Sequence, residues 1–265
     1  MKPTPQDDII RRQFSPQAQA YLTSEVHAAG ADLALMSTLV GHRPQACALD
    51  LGCGGGHVSF TLSPQVAQVE AVDLSSAMLR VVADEAQRRG LTNIQTRQAA
   101  AEALPYPDAH FDLVVTRYSC HHWQALPAGL AQMRRVIKPG GLALFMDVIT
   151  PGEPLLDTWL QSLELLRDPS HVRNGSEAQW QAQLVAAGFR LTHCQCFRLR
   201  LSFASWVARM NTPAVQIAAI RALQQQAGPA VVDYFNLEED GSFTVDTLLL
   251  AAEPATGAHP AETVI

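Results

Sequence analysis

The 265-residue chain lacks a hydrophobic segment long enough to cross a membrane. No apolar run reaches the roughly 18 residues that a spanning helix needs, and the first residues, MKPTPQDDIIRRQF, contain no apolar signal-peptide core. Basic residues are not in excess either, because 19 Lys and Arg stand against 25 Asp and Glu, a formal charge of −6. Non-specific nucleic-acid binding requires a basic surface. We therefore expect a cytoplasmic protein that inserts into no membrane and binds no nucleic acid.

Cysteine is scarce and follows no disulfide or metal-binding pattern. The number is odd and no two are spaced as Cys-x-x-Cys; the five are Cys47, Cys53, Cys120, Cys194 and Cys196. This spacing predicts neither a disulfide framework nor a zinc knuckle. The adjacent Cys120, His121 and His122 lack a fourth partner, so no metal site is predicted. Cys194 and Cys196 share one face of a strand, and we expect both to be buried thiols.

What the sequence does contain is a regular alternation of apolar strands with helical patterns. Hydrophobic residues make up 48% of the chain, which is enough for a full core. Seven segments have the composition of strands: 46–52, 69–75, 93–99, 111–119, 141–150, 190–202 and 242–253. Helical patterns are found at 75–90, 127–141 and 176–189, whereas 151–175 and 202–240 are predicted to be insertions outside the sheet. This order predicts an α/β fold with a mostly parallel sheet covered by helices on both faces.

The most informative segment is the glycine-rich turn CALDLGCGGGHV at residues 47–58. Four glycines, Gly52 and those at 54–56, occupy five positions and let a ligand approach the backbone closely. A phosphate-binding P-loop is excluded, because no Lys followed by Ser or Thr comes after these glycines. The dinucleotide pattern Gly-x-Gly-x-x-Gly fails as well, because His57 or Ser59 stands where its third glycine belongs.

Two carboxylates near this turn narrow the choice of ligand. Asp50 lies two residues before the first glycine, where its charge would repel a pyrophosphate. Asp73 ends the second predicted strand, and a carboxylate there can accept two charge-assisted hydrogen bonds from a ribose diol. Ligands of open α/β sheets bind beyond the carboxyl ends of the strands. The pattern therefore indicates a nucleoside cofactor without a pyrophosphate.

The chain resembles the class I S-adenosylmethionine-dependent methyltransferases, in the branch of the ubiquinone/menaquinone C-methyltransferases. The likeness extends over about residues 45–150 and lies in four consecutive segments: LDLGCGGG, AVDLSSAML, AAAEALPYPDAHFDLV and VIKPGGLALFMDV. Nearly the whole chain is similar to the YafE/YcgJ-like methyltransferases, in FSPQAQAYLTSEVHAAG, TRYSCHHW, LRDPSHVRN and SFASWVARMNTP. The resemblance implies a Rossmann-like, seven-stranded, mostly parallel sheet in a single domain, 1–265. Within it we expect an N-terminal helical cover (1–45), a cofactor-binding core (46–150), and a remainder with the last strands and substrate-side insertions (151–265).

The same resemblance implies the reaction. A methyl group would pass from S-adenosylmethionine, which becomes S-adenosylhomocysteine, to the oxygen or carbon of a small-molecule acceptor, for which an aromatic or anionic compound is expected. Two alternatives remain open: a non-catalytic module that binds the same cofactor, and an NAD(P)-dependent oxidoreductase. The sequence contains no dimerisation signal.

The resemblance also implies which residues bind the cofactor. Five would line its methionine and ribose part: Asp50, Gly52, Cys53, Gly54 and Gly56. Four would surround its adenine: Leu74, Met78, Ala101 and Glu102. Asp73 would hold the ribose hydroxyls. The chain departs from the family at residues 99–102, which are Ala-Ala-Ala-Glu where the family often has Gly-Asp-Ala-Glu, so that Ala100 replaces a carboxylate that can bind the adenine amine.

Candidate catalytic residues follow the fourth predicted strand, in RYSCHHW at 117–123. Many methyl acceptors must lose a proton, and histidine suits the role of base because it titrates near neutrality. We expect one of the adjacent pair to act as base, with His122 preferred to His121; a helix cap or packing under the cover is the alternative. Arg117 would reach the cofactor carboxylate or an acidic acceptor, unless it forms a surface ion pair.

Six further residues are candidates for the acceptor site: Tyr21, His27, His171, Arg173, Trp206 and Arg209. Tyr21 and His27 lie on one face of a predicted helix that could close over the cofactor. The segment LRDPSHVRN carries a local basic cluster that suits an anionic acceptor, and Trp206 with Arg209 would roof the pocket. Ordinary helix packing and a loop tied by an ion pair are the alternatives.

Overall fold

The structure, a computed structural model, describes residues 5–22 and 30–256 and contains one seven-stranded sheet. The strands are β1 (Arg43–Leu51), β2 (Val66–Asp73), β3 (Ile94–Gln98), β4 (Phe111–Arg117), β5 (Ile137–Ile149), β6 (Phe189–Leu201) and β7 (Phe243–Pro254). Their order is β3-β2-β1-β4-β5-β7-β6, and β7 runs antiparallel to both of its neighbours while the other pairs are parallel. The predicted α/β fold with a Rossmann-like, seven-stranded, mostly parallel sheet is confirmed.

Helices cover the sheet and both of its ends. The α-helices of the described ranges are α1 (Pro5–Phe14), α2 (Ala18–Leu22), α3 (Ala31–Val40), α4 (His57–Leu62), α5 (Ser76–Arg89), α6 (Leu126–Val136), α7 (Pro154–Arg167), α8 (Glu177–Ala186), α9 (Phe203–Arg209), α10 (Ala214–Gln225) and α11 (Pro229–Phe235). Short 3-10 helices follow α1 and β4, at Ser15–Gln17 and Cys120–His122. None of the helices in this described part has the length and apolar composition of a membrane span.

Alternate residues of the central strands pack on opposite faces of the sheet. Leu49 and Leu51 of β1 pack in one apolar cluster with α6 and α8, represented by Leu130 and Leu184. Ala48, the residue just before Leu49 in the strand, belongs to a second cluster with α3 and α4. This period of two, buried on both sides, explains why the strands are continuous apolar runs.

The strand order places a topological switch point between β1 and β4. From β1 the chain continues to β2 and β3 on one side, whereas β4 and β5 lie on the other. The carboxyl ends of β1, β2 and β4 therefore meet at one edge, with the glycine turn between them. A crevice at this place is where open α/β sheets bind ligands.

Two sets of helices cover this edge. On one side α1 is held by hydrogen bonds from Gln6 Nε2 to the Ser170 carbonyl (2.7 Å) and from Gln13 Nε2 to the Met210 carbonyl (2.8 Å). On the other, α7, α9, α10 and α11 share an apolar cluster with β6 and β7, centred on Trp206. The segments 151–175 and 202–240, predicted to lie outside the sheet, contribute no strand and supply these helices.

The prediction that Cys194 and Cys196 are buried is wrong. Both lie in β6, and both thiols are exposed. The reason is that β6 is the last strand of the sheet, so it has a neighbour on one side only and its burial pattern is largely open. An alternating sequence alone does not distinguish an edge strand from a covered one.

Substitution of Phe145 tests how the sheet packs against α8. Its ring is fully buried, 5.5 Å from the ring centroid of Phe189 and 6.2 Å from that of Trp180. Because Phe145→Ala would leave a cavity between strand and helix, we expect it to lower the free energy of unfolding by about 3–5 kcal/mol. Urea denaturation measures this change. Val185→Ala, also at α8 but 62% exposed, is the control and should change it by less than about 0.5 kcal/mol; equal losses would contradict the described packing.

Candidate functional site

A large cavity opens at the carboxyl ends of β1, β2 and β4, and we call it the outer cavity. Its empty space amounts to about 990 Å³ when the open solvent at its mouth is counted. Ten of the residues predicted to bind a cofactor line it: Asp50, Gly52, Cys53, Gly54, Asp73, Leu74, Met78, Ala101, Glu102 and Arg117. The eleventh, Gly56, is not among the lining residues. The sheet edge thus brings together side chains that are up to 67 residues apart in the sequence, from Asp50 to Arg117.

The glycines allow the turn after β1 to fold tightly. Gly52 has φ of +72°, and a Cβ there would lie 1.9 Å from the Ser119 Oγ. Gly56 has φ of +86° and precedes the first residue of α4, where a Cβ would meet Phe60 and Val82 at under 3.0 Å. Both backbone conformations disfavour residues with a side chain. Gly56 therefore shapes the turn from behind, and this accounts for its absence from the cavity wall.

Asp50 supports the turn from beneath. Its carboxylate is buried, and Oδ2 accepts hydrogen bonds from the Ser59 N–H (3.0 Å) and the Ser59 hydroxyl (2.6 Å). Ser59 is in the first turn of α4, where a carboxylate compensates unpaired N–H groups and the helix dipole. Burial raises the pKa of Asp50 to about 7, although the bonds from Ser59 oppose the shift.

Asp73 binds the same turn from the second strand. Its Oδ2 accepts from the Gly54 N–H at 3.0 Å, and its Oδ1 accepts from the Ser75 N–H at 2.8 Å. Burial raises the pKa of this carboxyl, and the backbone bonds act in the opposite direction. A carboxylate has about four acceptor positions. Asp73 therefore keeps acceptor capacity for a ligand in the outer cavity, which it lines.

The wall beyond Asp73 is apolar with one acid. Leu74, Met78 and Ala101 line it, and Glu102 lies beside them with Oε1 accepting from the Ala125 N–H at 3.3 Å. Ala100 offers no side-chain acceptor at the position where the family often has Asp. A flat ring system fits this apolar wall. Glu102 and the backbone groups of residues 99–102 are the polar atoms available to hydrogen-bond its edge.

Arg117 lines the outer cavity but is engaged by a partner from α3. Its Nε and Nη2 donate to the two carboxylate oxygens of Asp32 at 2.6 and 3.1 Å, and both side chains are buried. The sequence offered a surface ion pair as the alternative role of Arg117. Arg117 does form an ion pair, but the pair is buried, so the expected surface location is wrong. The guanidinium also stacks 4.6 Å from the ring centroid of Tyr118. Truncating one partner of such a buried pair is costly, so Asp32 keeps Arg117 in place.

A second, smaller cavity, the inner cavity, adjoins the outer one. It holds about 570 Å³ of open space, and Tyr21, Tyr118 and His122 line both cavities. The other lining residues mix charged, polar and apolar side chains: His121, Val148, Glu164, Arg167, Asp168, Asn174, Leu199, Leu201, Trp206 and Arg209. A ligand in one cavity can thus meet a ligand in the other at the shared boundary.

The two adjacent histidines have different partners. His121 Nδ1 lies 2.6 Å from Oδ1 of the buried Asp147, which can only be a hydrogen bond donated by the imidazole to the carboxylate. His122 Nδ1 lies 3.2 Å from the Ser170 hydroxyl, which donates to Asp168 Oδ1 at 2.6 Å. In both rings Nδ1 is engaged, and this leaves Nε2 for the interior of the site.

Their proton affinities are shifted in opposite directions. Burial disfavours the charged form of His121, but the Asp147 carboxylate outweighs burial and raises the pKa of His121. Burial and the charge of His121, whose ring centroid is 4.1 Å away, lower the pKa of His122. Neighbouring groups whose pKa values are driven apart in this way are typical of acid–base sites.

The residues predicted for the acceptor site are only partly brought together. Tyr21, Trp206 and Arg209 line the inner cavity. His171 and Arg173 do not: His171 Nε2 bonds to the Gln161 side chain at 2.8 Å, and Arg173, half exposed, pairs with Asp157 at 2.6 Å. The Val172 and Arg173 N–H groups instead bond to the His121 carbonyl. His27 lies outside the described residues.

Sequence reasoning missed Asn174, and it grouped Arg167 with His171 and Arg173 without distinguishing which of the three lines the cavity. Asn174 is 1% exposed and lines the inner cavity, and its amide oxygen and nitrogen have no hydrogen-bond partner among the described residues. Arg167 stacks 4.9 Å from the ring centroid of Trp206, and its Nε donates to the Trp206 carbonyl at 3.0 Å. The basic cluster in LRDPSHVRN was the available signal, but it does not tell which members turn inwards.

Comparisons with known proteins agree with this geometry. Residues 49–145 match the profile of a family described as a methyltransferase domain. The chain is 45% identical over 204 residues to the "Uncharacterized protein YafE" of Escherichia coli (strain K12), which covers 77% of this chain and 99% of that protein. It is 34% identical over 242 residues to the "Uncharacterized methyltransferase YcgJ" of Bacillus subtilis (strain 168), with 89% and 96% covered.

The solved structure of YcgJ has the same fold. It superposes with a TM-score of 0.82 and 33% identity, and the match covers 85% of this chain and 99% of that one. Over a shorter stretch of 118 residues, the chain is 36% identical to the ubiquinone/menaquinone biosynthesis C-methyltransferase UbiE of Shewanella frigidimarina, with 43% of this chain and 47% of UbiE covered. The chain therefore belongs to the class I S-adenosylmethionine-dependent methyltransferases, in one family with YafE and YcgJ.

Proposed function

We propose that this protein transfers a methyl group from S-adenosylmethionine, held in the outer cavity, to the oxygen or carbon of a small-molecule acceptor in the inner cavity. The observation that carries the proposal is the common boundary of the two cavities at Tyr21, Tyr118 and His122. Methyl transfer requires donor and acceptor to meet in line at about 3 Å, and a shared boundary between two adjoining cavities supplies such a meeting point.

The residues of the outer cavity fit this cofactor. Asp73 would accept hydrogen bonds from the ribose hydroxyls through the lone pairs that Gly54 and Ser75 leave unused. Leu74 and Met78 would pack on the adenine. When bound, S-adenosylmethionine supplies an activated methyl group on a sulfonium together with its leaving group.

The glycine turn would receive the methionine part. Gly52, Cys53 and Gly54 present backbone with little side-chain bulk, and Asp50 acts through the turn because Ser59 occupies its carboxylate. Ala101 and Glu102 would border the adenine edge. Arg117 would help to orient the cofactor. Because Asp32 pairs with it, the two side chains together add little net charge to the cavity.

The histidine pair would remove a proton from the acceptor. Asp147 orients His121 through Nδ1 and stabilises its cation, so Nε2 of His121 is the more basic position in the site. His122 stays neutral beside it and lies at the boundary of the cavities, where it would contact the acceptor. We therefore assign the base to His121 and positioning to His122, which reverses the order preferred from the sequence.

The inner cavity suits an acceptor with an aromatic or anionic group. Arg167 and Arg209 both line it, and burial together with the charge of Arg167 lowers the pKa of Arg209. Glu164 already pairs with Arg167 at 3.5 Å, so Arg209 is the guanidinium that an anionic group would meet, and Trp206 offers an aromatic surface in the same cavity. Tyr21 completes this side of the pocket.

Asp73→Ala tests the cofactor site. We expect the variant to bind S-adenosylhomocysteine at least about tenfold more weakly, because the loss of even one hydrogen bond to a charged group costs about 1.5–3 kcal/mol. Isothermal titration calorimetry of the purified protein measures the affinity. Asp84→Ala, an exposed carboxylate of α5, is the matched control and should bind like the wild type.

The same titration separates the proposal from its alternatives. If the wild-type protein binds NADH and not S-adenosylhomocysteine, the cofactor assignment is wrong. If it binds S-adenosylhomocysteine but a screen of oxygen and carbon acceptors gives no methylated product, the result favours a cofactor-binding module over the proposed enzyme.

The titration of the two histidines tests the assignment of the base. We expect His121 to titrate above its ordinary value of 6.5 and His122 below it. In Asp147→Asn the pKa of His121 should fall, because the compensating charge is lost. The pKa of His122 should then rise, because a neutral His121 no longer repels its proton. NMR of the imidazole resonances measures both values.

Activity provides the second half of this test. Because a base must be deprotonated, turnover should increase as the pH rises through the pKa of His121. His121→Ala should reduce turnover about 10²- to 10⁴-fold, whereas His42→Ala should not. A loss in His122→Ala that exceeds the loss in His121→Ala would return the role of base to His122.

A further inference from the structure

Two thiols and a carboxylate lie close together at the edge strand β6, and none of the three residues lines the outer or the inner cavity. Cys194 and Cys196 project from one face of β6, and Glu177 is the first residue of α8. The Cys194 thiol lies 3.5 Å from Glu177 Oε1, and the Cys196 thiol lies 3.5 Å from Glu177 Oε2. A ligand atom from each of the three residues lies within 4.8 Å of the others.

The exposure of both thiols is unusual. Free cysteine is among the most buried residue types, yet both of these are exposed. Both thiols lie against the same carboxylate, Cys194 at Oε1 and Cys196 at Oε2 of Glu177. Three side chains that can supply anionic ligand atoms to a metal ion are therefore held together at the edge strand.

We propose that Glu177, Cys194 and Cys196 form a binding site for a divalent, thiol-preferring metal ion of the zinc type. In a tetrahedral zinc site with Zn–S of about 2.3 Å and Zn–O of about 2.1 Å, neighbouring ligand atoms are about 3.6–3.8 Å apart. The S···O distances are 3.5 Å, one to each carboxylate oxygen, and a single ligand atom from each residue lies within 4.8 Å of the other two, so a small adjustment of the side chains brings the three to this spacing. Water would take the fourth position, because the site is open to solvent.

Binding changes the protonation of the site in a defined way. The ion enters as M²⁺, the two S–H groups become thiolates, and two protons leave to solvent. Two thiolates and one carboxylate then surround the ion, for a net charge of −1. Proton release means that binding strengthens as the pH rises.

A neighbour on α8 orients the carboxylate. Gln181, one turn after Glu177, donates from Nε2 to Glu177 Oε1 at 2.9 Å. The start of α8 is itself fixed by Ser176, whose hydroxyl accepts from the Gln179 N–H at the helix cap. Partners of this kind orient a ligand for its metal. A bound ion would therefore tie the start of α8 to the edge strand β6.

Cobalt and zinc titrations of the full chain test the site. The protein is stripped with a chelator, kept reduced with a phosphine, and titrated with Co²⁺. We expect one ion per chain, sulfur-to-cobalt charge-transfer absorption with the visible bands of tetrahedral Co²⁺, and displacement by Zn²⁺. Calorimetry in two buffers of different ionisation enthalpy should show about two protons released per ion.

Variants assign the ligands. Cys194→Ser and Cys196→Ser should each weaken binding by at least about tenfold and reduce the charge-transfer band, and Glu177→Gln and Gln181→Ala should weaken it by about tenfold. Gln195→Ala, at the intervening and exposed position of β6, is the matched control and should bind normally. Zn²⁺ should raise the melting temperature of the wild type and of this control, and not that of Cys194→Ser.

Two results would overturn the proposal. The first is Co²⁺ binding that persists unchanged when both cysteines are replaced. The second is a reduced wild-type protein that shows no charge-transfer band at millimolar Co²⁺. Binding of S-adenosylhomocysteine should be the same in all of these variants, so that the outcome is independent of the proposed methyl transfer.

Discussion

The turn between β1 and α4 is held by two buried carboxylates, and the whole site depends on it. Asp50 binds the first turn of the helix from below through Ser59, while Asp73 binds the Gly54 N–H from the neighbouring strand. Both carboxylates are costly to bury, as their raised pKa values indicate. The cost is offset by backbone donors that would otherwise be unpaired at a helix start and a sharp turn. The result is a rigid, side-chain-poor floor for a ligand.

A second constraint comes from the cover. Helix α1 contacts the segment after α7 through Gln6 and the region after α9 through Gln13, so it spans the site rather than one side of it. Tyr21, in α2, consequently stands between the two cavities. Beneath this cover, the Asp147 carboxylate raises the pKa of His121 although burial of the imidazole opposes that shift.

The fold was accessible to sequence reasoning because its signals are local. The central strands are apolar runs, and α8 begins at a Ser176–Gln179 capping box that is visible as a pattern. The cofactor cavity was accessible for a related reason, since Asp50, Gly52 and Asp73 sit at strand ends that parallel pairing brings to one edge. His171 and Arg173 were misjudged because their direction depends on Gln161 and Asp157 of α7.

The sequence by itself determined the strand and helix segments, the glycine turn and the acids at the strand ends. These features depend on backbone conformation and periodicity over a few residues. Only the tertiary structure decided which histidine has the higher pKa, which cysteines are exposed and which carboxylate pairs with Arg117. Each of those properties is set by a partner far along the chain: Asp147 for His121, the missing neighbour of β6 for Cys194, and Asp32 for Arg117. Electrostatic interaction and burial depend on distances in space, and the order of residues along the chain does not reveal those distances.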